Sequence, residues 1–388
     1  MNIALCFENV NPARGGCETY IADFTRRLAA DGHAVHLYAC RWDASTLPVD
    51  MHFHRLNVAR GPRFLRPWRF ASACERALAG AAHDVTVGFD KTWGQDVLYP
   101  QGGLHAASAE HNLRKYASPW KRGLARLAKC CDLAAISFAH LERKQYLTGN
   151  STIIVNSDMV AGHFRHYYGI PPERLHVIRS AIDPARFHAA DRPRVRAEWR
   201  HKWGLAPNDT TALFVAMNYQ LKGLEPLLHA VRCVPKQLQF RLIVIGNPRA
   251  ARFERLARRL GIAERVVFHG FCAETRKAYF AADFLVHPTF YYPCSQVALE
   301  ALACGLPVVT SRYNGASELL DPPHNGLVID DPHDHQYLAD CLARMCEHEY
   351  RARCSQAARE AASRWTFDLH YRRMIDVFRE VAARKAAA

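Results

Sequence analysis

The sequence predicts an α/β chain of two doubly wound domains that face each other across a cleft. Short apolar runs alternate with amphipathic helical stretches in two successive series, the signature of parallel sheets covered on both faces. The chain has 388 residues. That exceeds what one core supports, since single cores stop growing at about 250–300 residues. A composition of 49% hydrophobic and 23% charged residues is that of a globular protein.

The first series opens with an apolar run, Ile3 to Phe7, a polar Pro/Gly loop, Glu8 to Gly16, and a stretch in which Cys17, Tyr20, Ile21, Phe24 and Leu28 recur at helical spacing. Gly32 closes that helix before a second run, Val35 to Cys40. Further strands are expected at Val85–Phe89, Leu133–Ser137, Thr152–Val155 and Leu175–Ile178. After the turn at Ala181–Pro184 the second series reads Ala212–Ala216, Leu242–Ile245, Val266–His269, Phe284–His287, Pro307–Thr310 and Leu327–Ile329, with helices such as Arg249–Leu260 and Gln296–Cys304 between. The expected division is residues 1–182, residues 183–365, and a terminal helix over 366–388 that packs back on the first domain. In doubly wound sheets ligands sit beyond the carboxyl ends of the strands, so the cleft is the expected site.

No apolar run reaches the roughly 18–20 residues that span a bilayer, and MNIALCFENV lacks the features of a signal peptide; a cytoplasmic protein is expected. The thirteen cysteines contain no CxxC pair, which points to reduced core thiols and away from a zinc site. The net charge of +14 calls for an anionic partner, and charge alone does not choose among nucleic acid, membrane surface and phosphorylated substrate. No nucleic-acid-binding motif accompanies the charge, so no nucleic-acid partner is expected. The segment Leu113–Cys130 joins Arg114, Lys115, Lys121, Arg122, Arg126 and Lys129 to Tyr116, Trp120, Leu124 and Leu127. Such a segment can lie on anionic lipid or pack its charged face on its own domain.

Three loops carry chemistry. Gly15-Gly16 lets the backbone and a helix N-terminus approach an anion, although neither GxGxxG nor GxxxxGK[ST] is present. Lys222-Gly223 sets an ammonium at the opening of the helix Leu224–Val231, a pairing suited to a diphosphate. The strongest stretch, His287 to Leu320, runs through a loop into a helix that carries Glu300 one turn after Gln296 among apolar neighbours; a carboxylate so placed is half buried and needs a hydroxyl partner.

With the N-terminal glycine loop, "NYQLKGL" at Asn218–Leu224, "LIVIGN" at Leu242–Asn247, "VVFHGF" at Val266–Phe271, "AADFLVHPTF" at Ala281–Phe290 and "LEALACGLPVV" at Leu299–Val309, the sequence resembles the family 4 retaining glycosyltransferases of GT-B architecture. The stretch Asp84–His105 is most similar to bacterial lipopolysaccharide core glucosyltransferases. The resemblance implies transfer of a sugar, with retention of configuration, from a nucleotide diphosphate donor, a UDP-sugar, to a glycolipid or glycan acceptor. It implies that Gly15, Gly16 and Lys222 contact the diphosphate, that Glu300 accepts from the ribose hydroxyls, and that the loop near Phe271 holds the base. Asn218, Gly246, Cys294, Ser295, Gln296 and Val297 fall on the donor-binding loops. His105 falls in the loop that approaches the donor sugar from the acceptor side; a solvated loop histidine is the plainer reading.

Two positions depart from the family pattern: Tyr292 stands where a glutamate is common, and Gln220 where an arginine is common. The Tyr292 loop is still expected to reach the sugar, with the ring covering a sugar face. No Asp-x-Asp pair occurs, so a metal-independent reaction without a cofactor is expected, Lys222 and helix N-termini taking the place of Mg²⁺. A sugar-nucleotide epimerase and an inactive nucleotide- or glycan-binding homologue remain as alternatives.

Overall fold

A computed structural model describes residues 1–12, 15–59, 61–187 and 191–387. The chain forms two compact units: Met1–Glu110 with Ser118–Arg179 and the chain from Asp368 on, and His111–Ala117 with Ser180–Phe367.

The first unit is built on a seven-stranded parallel sheet in the order His52–Arg55, Ala34–Ala39, Asn2–Cys6, Val85–Phe89, Val97–Tyr99, Thr152–Val155 and Leu175–Val177. The order reverses between Asn2–Cys6 and Val85–Phe89, so the loops leaving those two strands diverge and leave a crevice. The helix Gly16–Ala30 buries Ile21, Phe24 and Leu28. Along Phe367–Ala386 the rings of Tyr371 and Phe378 meet Phe24 edge-on, and the His370 imidazole bonds the Tyr20 hydroxyl at 2.7 Å.

The second unit repeats the plan with six parallel strands, Val266–Gly270, Phe240–Gly246, Thr210–Ala216, Phe284–His287, Val308–Ser311 and Gly326–Ile329. Successive residues of the buried strands feed opposite cores. Phe214, Val244 and Val286 face the helices Leu224–Cys233 and His335–Cys346, whereas Leu213, Ile243 and Leu285 face Arg192–Lys202 and Gln296–Ala303. The reversal falls between Thr210–Ala216 and Phe284–His287, the strands that lead to Lys222 and Tyr292.

Two expectations are corrected, and two strands of the first sheet are additional to those expected. Leu133–Ser137 is not a strand but the start of the helix Leu133–Leu147, whose first turn is capped by Asp132 Oδ1 accepting from the Ala134 amide at 2.9 Å. A short apolar run reads alike in both states, and the cap marks the helix start. The edge strand His52–Arg55 and the three-residue Val97–Tyr99 carry too little apolar pattern to be seen in sequence. His111–Ala117 belongs to the second unit, where Arg114 stacks 5.0 Å over the Tyr313 ring and donates to its hydroxyl at 3.0 Å.

Candidate active site

The second unit's site grows from the strand reversal. Beyond Ala216, Asn218 Oδ1 accepts from the Leu221 amide at 3.1 Å, and its carbonyl accepts from the Lys222 amide at 3.0 Å. This turn aims Lys222 back over the sheet end. Gly223 follows with φ 82°, and a Cβ there would lie 2.0 Å from the Pro288 carbonyl oxygen. Only glycine therefore lets the two loops touch. The Phe290 amide donates to the Leu221 carbonyl at 3.0 Å, tying the loops together.

Lys222 Nζ donates to the Tyr291 carbonyl at 3.0 Å and lies 3.3 Å from the centre of the Tyr292 ring. Burial lowers its pKa to about 7. The Tyr292 ring thus has one face taken by the ammonium, a cation–π contact. Burial, then the charge of Glu300, raises the Tyr292 phenol to about 12. His287, at the strand end, is buried with both ring nitrogens lacking a partner among the described residues, and burial followed by the Lys222 charge keeps it neutral.

The loop from Pro288 to Ser295 is clamped by the one from Thr310 to Ala316. Asn314 Oδ1 accepts from the Ser295 amide at 3.2 Å and from Ala316 at 3.1 Å, while the Tyr292 amide donates to the Tyr313 carbonyl at 2.9 Å. Asn314 and Tyr279 were not singled out in the sequence, although Asn314-Gly315 is a turn signal. Ser295 caps the helix Gln296–Ala303 with its buried Oγ unpartnered, and the first amides, Gln296 and Val297, have no acceptor among the described residues. Cys294 is buried beside them. One turn on, Glu300 Oε2 accepts from the Tyr279 hydroxyl at 2.6 Å, and burial raises its pKa to about 7. Its hydroxyl partner within the protein is therefore a tyrosine. Gly246, at φ 130°, lets its backbone meet Ala216, and Phe271 stands 67% exposed beyond the strand Val266–Gly270. An ammonium, a free helix N-terminus, an acceptor carboxylate and an exposed ring form a set that suits a nucleoside diphosphate.

In the first unit, His105 opens the helix His105–Leu113 and is not in a loop. The buried Glu142 takes the amides of His105 and, at 3.1 Å, Ala106. Burial, then the charges of Lys91 and Lys129, lowers the His105 pKa, so the imidazole is neutral at neutral pH. Gly15 is the N-cap of Gly16–Ala30, and Ala13 and Arg14 of that loop lie outside the described residues. At this unit's strand reversal lies a cavity of about 280 Å³ lined by Phe7, Glu18, Phe89, Asp90 and Lys91 among others. Asp90 holds φ 55° and accepts from the Gly102 amide at 3.3 Å.

Residues 14–186 match the glycosyltransferase family 4 domain and residues 195–361 the glycosyl transferases group 1 domain. The chain belongs to these glycosyltransferases. The lipopolysaccharide glucosyltransferase WaaG of Escherichia coli K12 is 26% identical over 350 residues, 89% of each chain. Among solved structures, WaaG, a glycosyltransferase involved in lipopolysaccharide biosynthesis, has a TM-score of 0.77 at 24% identity over 97% of this chain and 99% of its own. Anabaena HepE in complex with UDP has a TM-score of 0.71 at 19% identity over 98% of this chain and 100% of its own. These likenesses show the GT-B fold of this glycosyltransferase.

Proposed function

We propose that this glycosyltransferase moves a hexose from a UDP-sugar to a lipopolysaccharide-type or other lipid-linked glycan, with retention of configuration and without a metal. The observation that carries the reading is Lys222, an ammonium without a carboxylate partner among the described residues, held over Tyr292 at the strand reversal. The names of WaaG and of HepE with UDP support the acceptor class and the nucleotide. The bond from the anomeric carbon to the diphosphate oxygen breaks and Lys222 stabilises the charge left on that oxygen. An acceptor hydroxyl attacks from the same face, and its proton passes to a departing phosphate oxygen. The carboxylates and aromatic rings of the first unit's cavity suit the hydroxyls and apolar face of an acceptor sugar. Titration with a panel of nucleotide sugars, followed by a search for product with membrane extract, tests the reading; hydrolysis or epimerisation with no acceptor product overturns it.

The pH dependence of donor binding has a definite shape. Lys222 binds a diphosphate as the ammonium, so above its pKa of about 7 binding must take up a proton and weakens with rising pH. Glu300 accepts hydroxyl protons as the carboxylate, so below about 7 binding must release one and weakens as pH falls. Affinity for UDP-glucose therefore peaks near neutrality and falls by up to about tenfold per unit on either side. Calorimetry should show Lys222→Arg flattening the alkaline limb and Glu300→Gln the acid limb; a flat native profile contradicts the assignment.

We further propose that the enzyme docks on anionic membrane through the helix Pro119–Cys130. None of its residues is buried, and Trp120, Leu124 and Leu127 are 67%, 60% and 67% exposed. Its apolar side is thus not packed on the protein, and Lys121 and Arg126 beside it are exposed. Each basic residue near the surface adds about 1 kcal/mol. Vesicles with anionic lipid should sediment more protein than neutral ones, and Trp120→Ser with Leu124→Ser should abolish the difference; equal sedimentation on both vesicles rules the docking out.

A further inference from the structure

The amino ends of the second unit's strands carry a different site. A cavity of about 300 Å³ opens where Asp283 and Leu306 enter the strands Phe284–His287 and Val308–Ser311, at the opposite end of the sheet from Lys222. Two helices line it. Arg192 and Arg196, one turn apart, come from Arg192–Lys202, and His348, Arg351 and Arg359 come from His348–Ser363.

This charge is not explained by the fold. Arg192 is the first residue of its helix and Arg351 lies in the opening turn of the other. A cation there opposes the helix dipole at a cost of about 0.3–1 kcal/mol each. Among the described residues Asp283 is the one carboxylate that lines the cavity, and Arg196 and Arg200 already share it, at 2.6 and 3.4 Å. Arg192 spends Nη1 on the Cys304 carbonyl at 2.6 Å and Arg351 spends Nη1 on the Met345 carbonyl at 2.7 Å, which leaves most of their donors unspent. Arg359 lies along Gly305 and makes no hydrogen bond or ion pair among the described residues. Burial first lowers the Arg192 pKa, and the charges of Arg359 and Arg196 add to it against the opposing pull of Cys304 and Asp283.

We propose that this cavity is a second anion site, which takes a phosphate monoester or diphosphate through the guanidinium groups of Arg192, Arg351 and Arg359. Arginine forks match phosphate oxygens two at a time, and several unanswered cations favour a multiply charged anion over a carboxylate. The site is separate from the donor loops and its occupancy is read without turnover.

The test is calorimetric titration of magnesium-free inorganic pyrophosphate into protein saturated with UDP, which fills the donor loops. One saturable site is expected, weakened about tenfold for each guanidinium lost in Arg351→Gln and Arg359→Gln. Absence of saturable binding, or equal affinity in the double variant, overturns the proposal. Arg359→Gln alone keeps the test open if the double variant does not fold, because that guanidinium makes no hydrogen bond or ion pair among the described residues. Phosphatidylcholine vesicles with and without phosphatidic acid identify the source. Displacement of pyrophosphate by the phosphatidic acid vesicles assigns a lipid headgroup and no displacement a soluble phosphate, and the site stands in both cases.

Discussion

Replacing Lys222 with Ala is expected to lower turnover by about 10²–10³ while the protein stays folded and acceptor affinity is little changed. The ammonium is poorly solvated and rests on a carbonyl and a ring, neither of which neutralises it. Its interaction with negative charge is therefore strongest when the diphosphate departs, so the loss appears in kcat more than in KM. Steady-state kinetics with the native donor, with circular dichroism as the check on folding, measure the effect. Unchanged turnover in folded Lys222→Ala, or strict dependence of the native enzyme on Mg²⁺, would falsify the role given to this residue. Tyr292→Leu should reproduce part of the loss by removing the surface under the ammonium, whereas Tyr292→Phe keeps the ring and should not.

The second large effect is on stability. Asp283→Ala should destabilise the protein by about 3–5 kcal/mol, because it leaves the buried Arg200 guanidinium without its counter-charge. Asp283 Oδ2 accepts from the Thr211 amide at 2.7 Å and from Arg200, and Oδ1 from Arg196 at 2.6 Å, so one carboxylate joins a strand start to two turns of the helix Arg192–Lys202. The carbonyls of Ala206 and Asp209 still hold Arg200 in place, at 3.0 and 2.7 Å, which prevents the cation from escaping to water. Arg196→Gln, at a more exposed position, should cost far less. Urea unfolding followed by tryptophan fluorescence separates the two; a loss below about 1 kcal/mol for Asp283→Ala would show that Arg200 finds water or another partner.

What was legible in the sequence is what local pattern encodes. Continuous apolar runs and period-3.6 hydrophobicity specify strands and helices, as at Ala212–Ala216 and Cys17–Leu28, and their alternation specifies parallel sheets. Lys222-Gly223 and Glu300 could be singled out because loop chemistry is local: a glycine before a helix, a carboxylate one turn inside another. Tertiary structure decided what depends on strand order and on partners remote in the chain. Leu133–Ser137 is apolar enough for either state, and packing made it the start of a helix that buries Leu141 and Tyr146 further on. Tyr292 lies under Lys222 because its loop leaves the strand beside the one that leads to Lys222, across the sheet reversal. Asn314, Tyr279 and Glu142 act through groups that only packing brings to them. Arg192 and Arg359 share a cavity because two helices cover the same sheet face. No spacing along a chain records that two distant positive charges share one cavity.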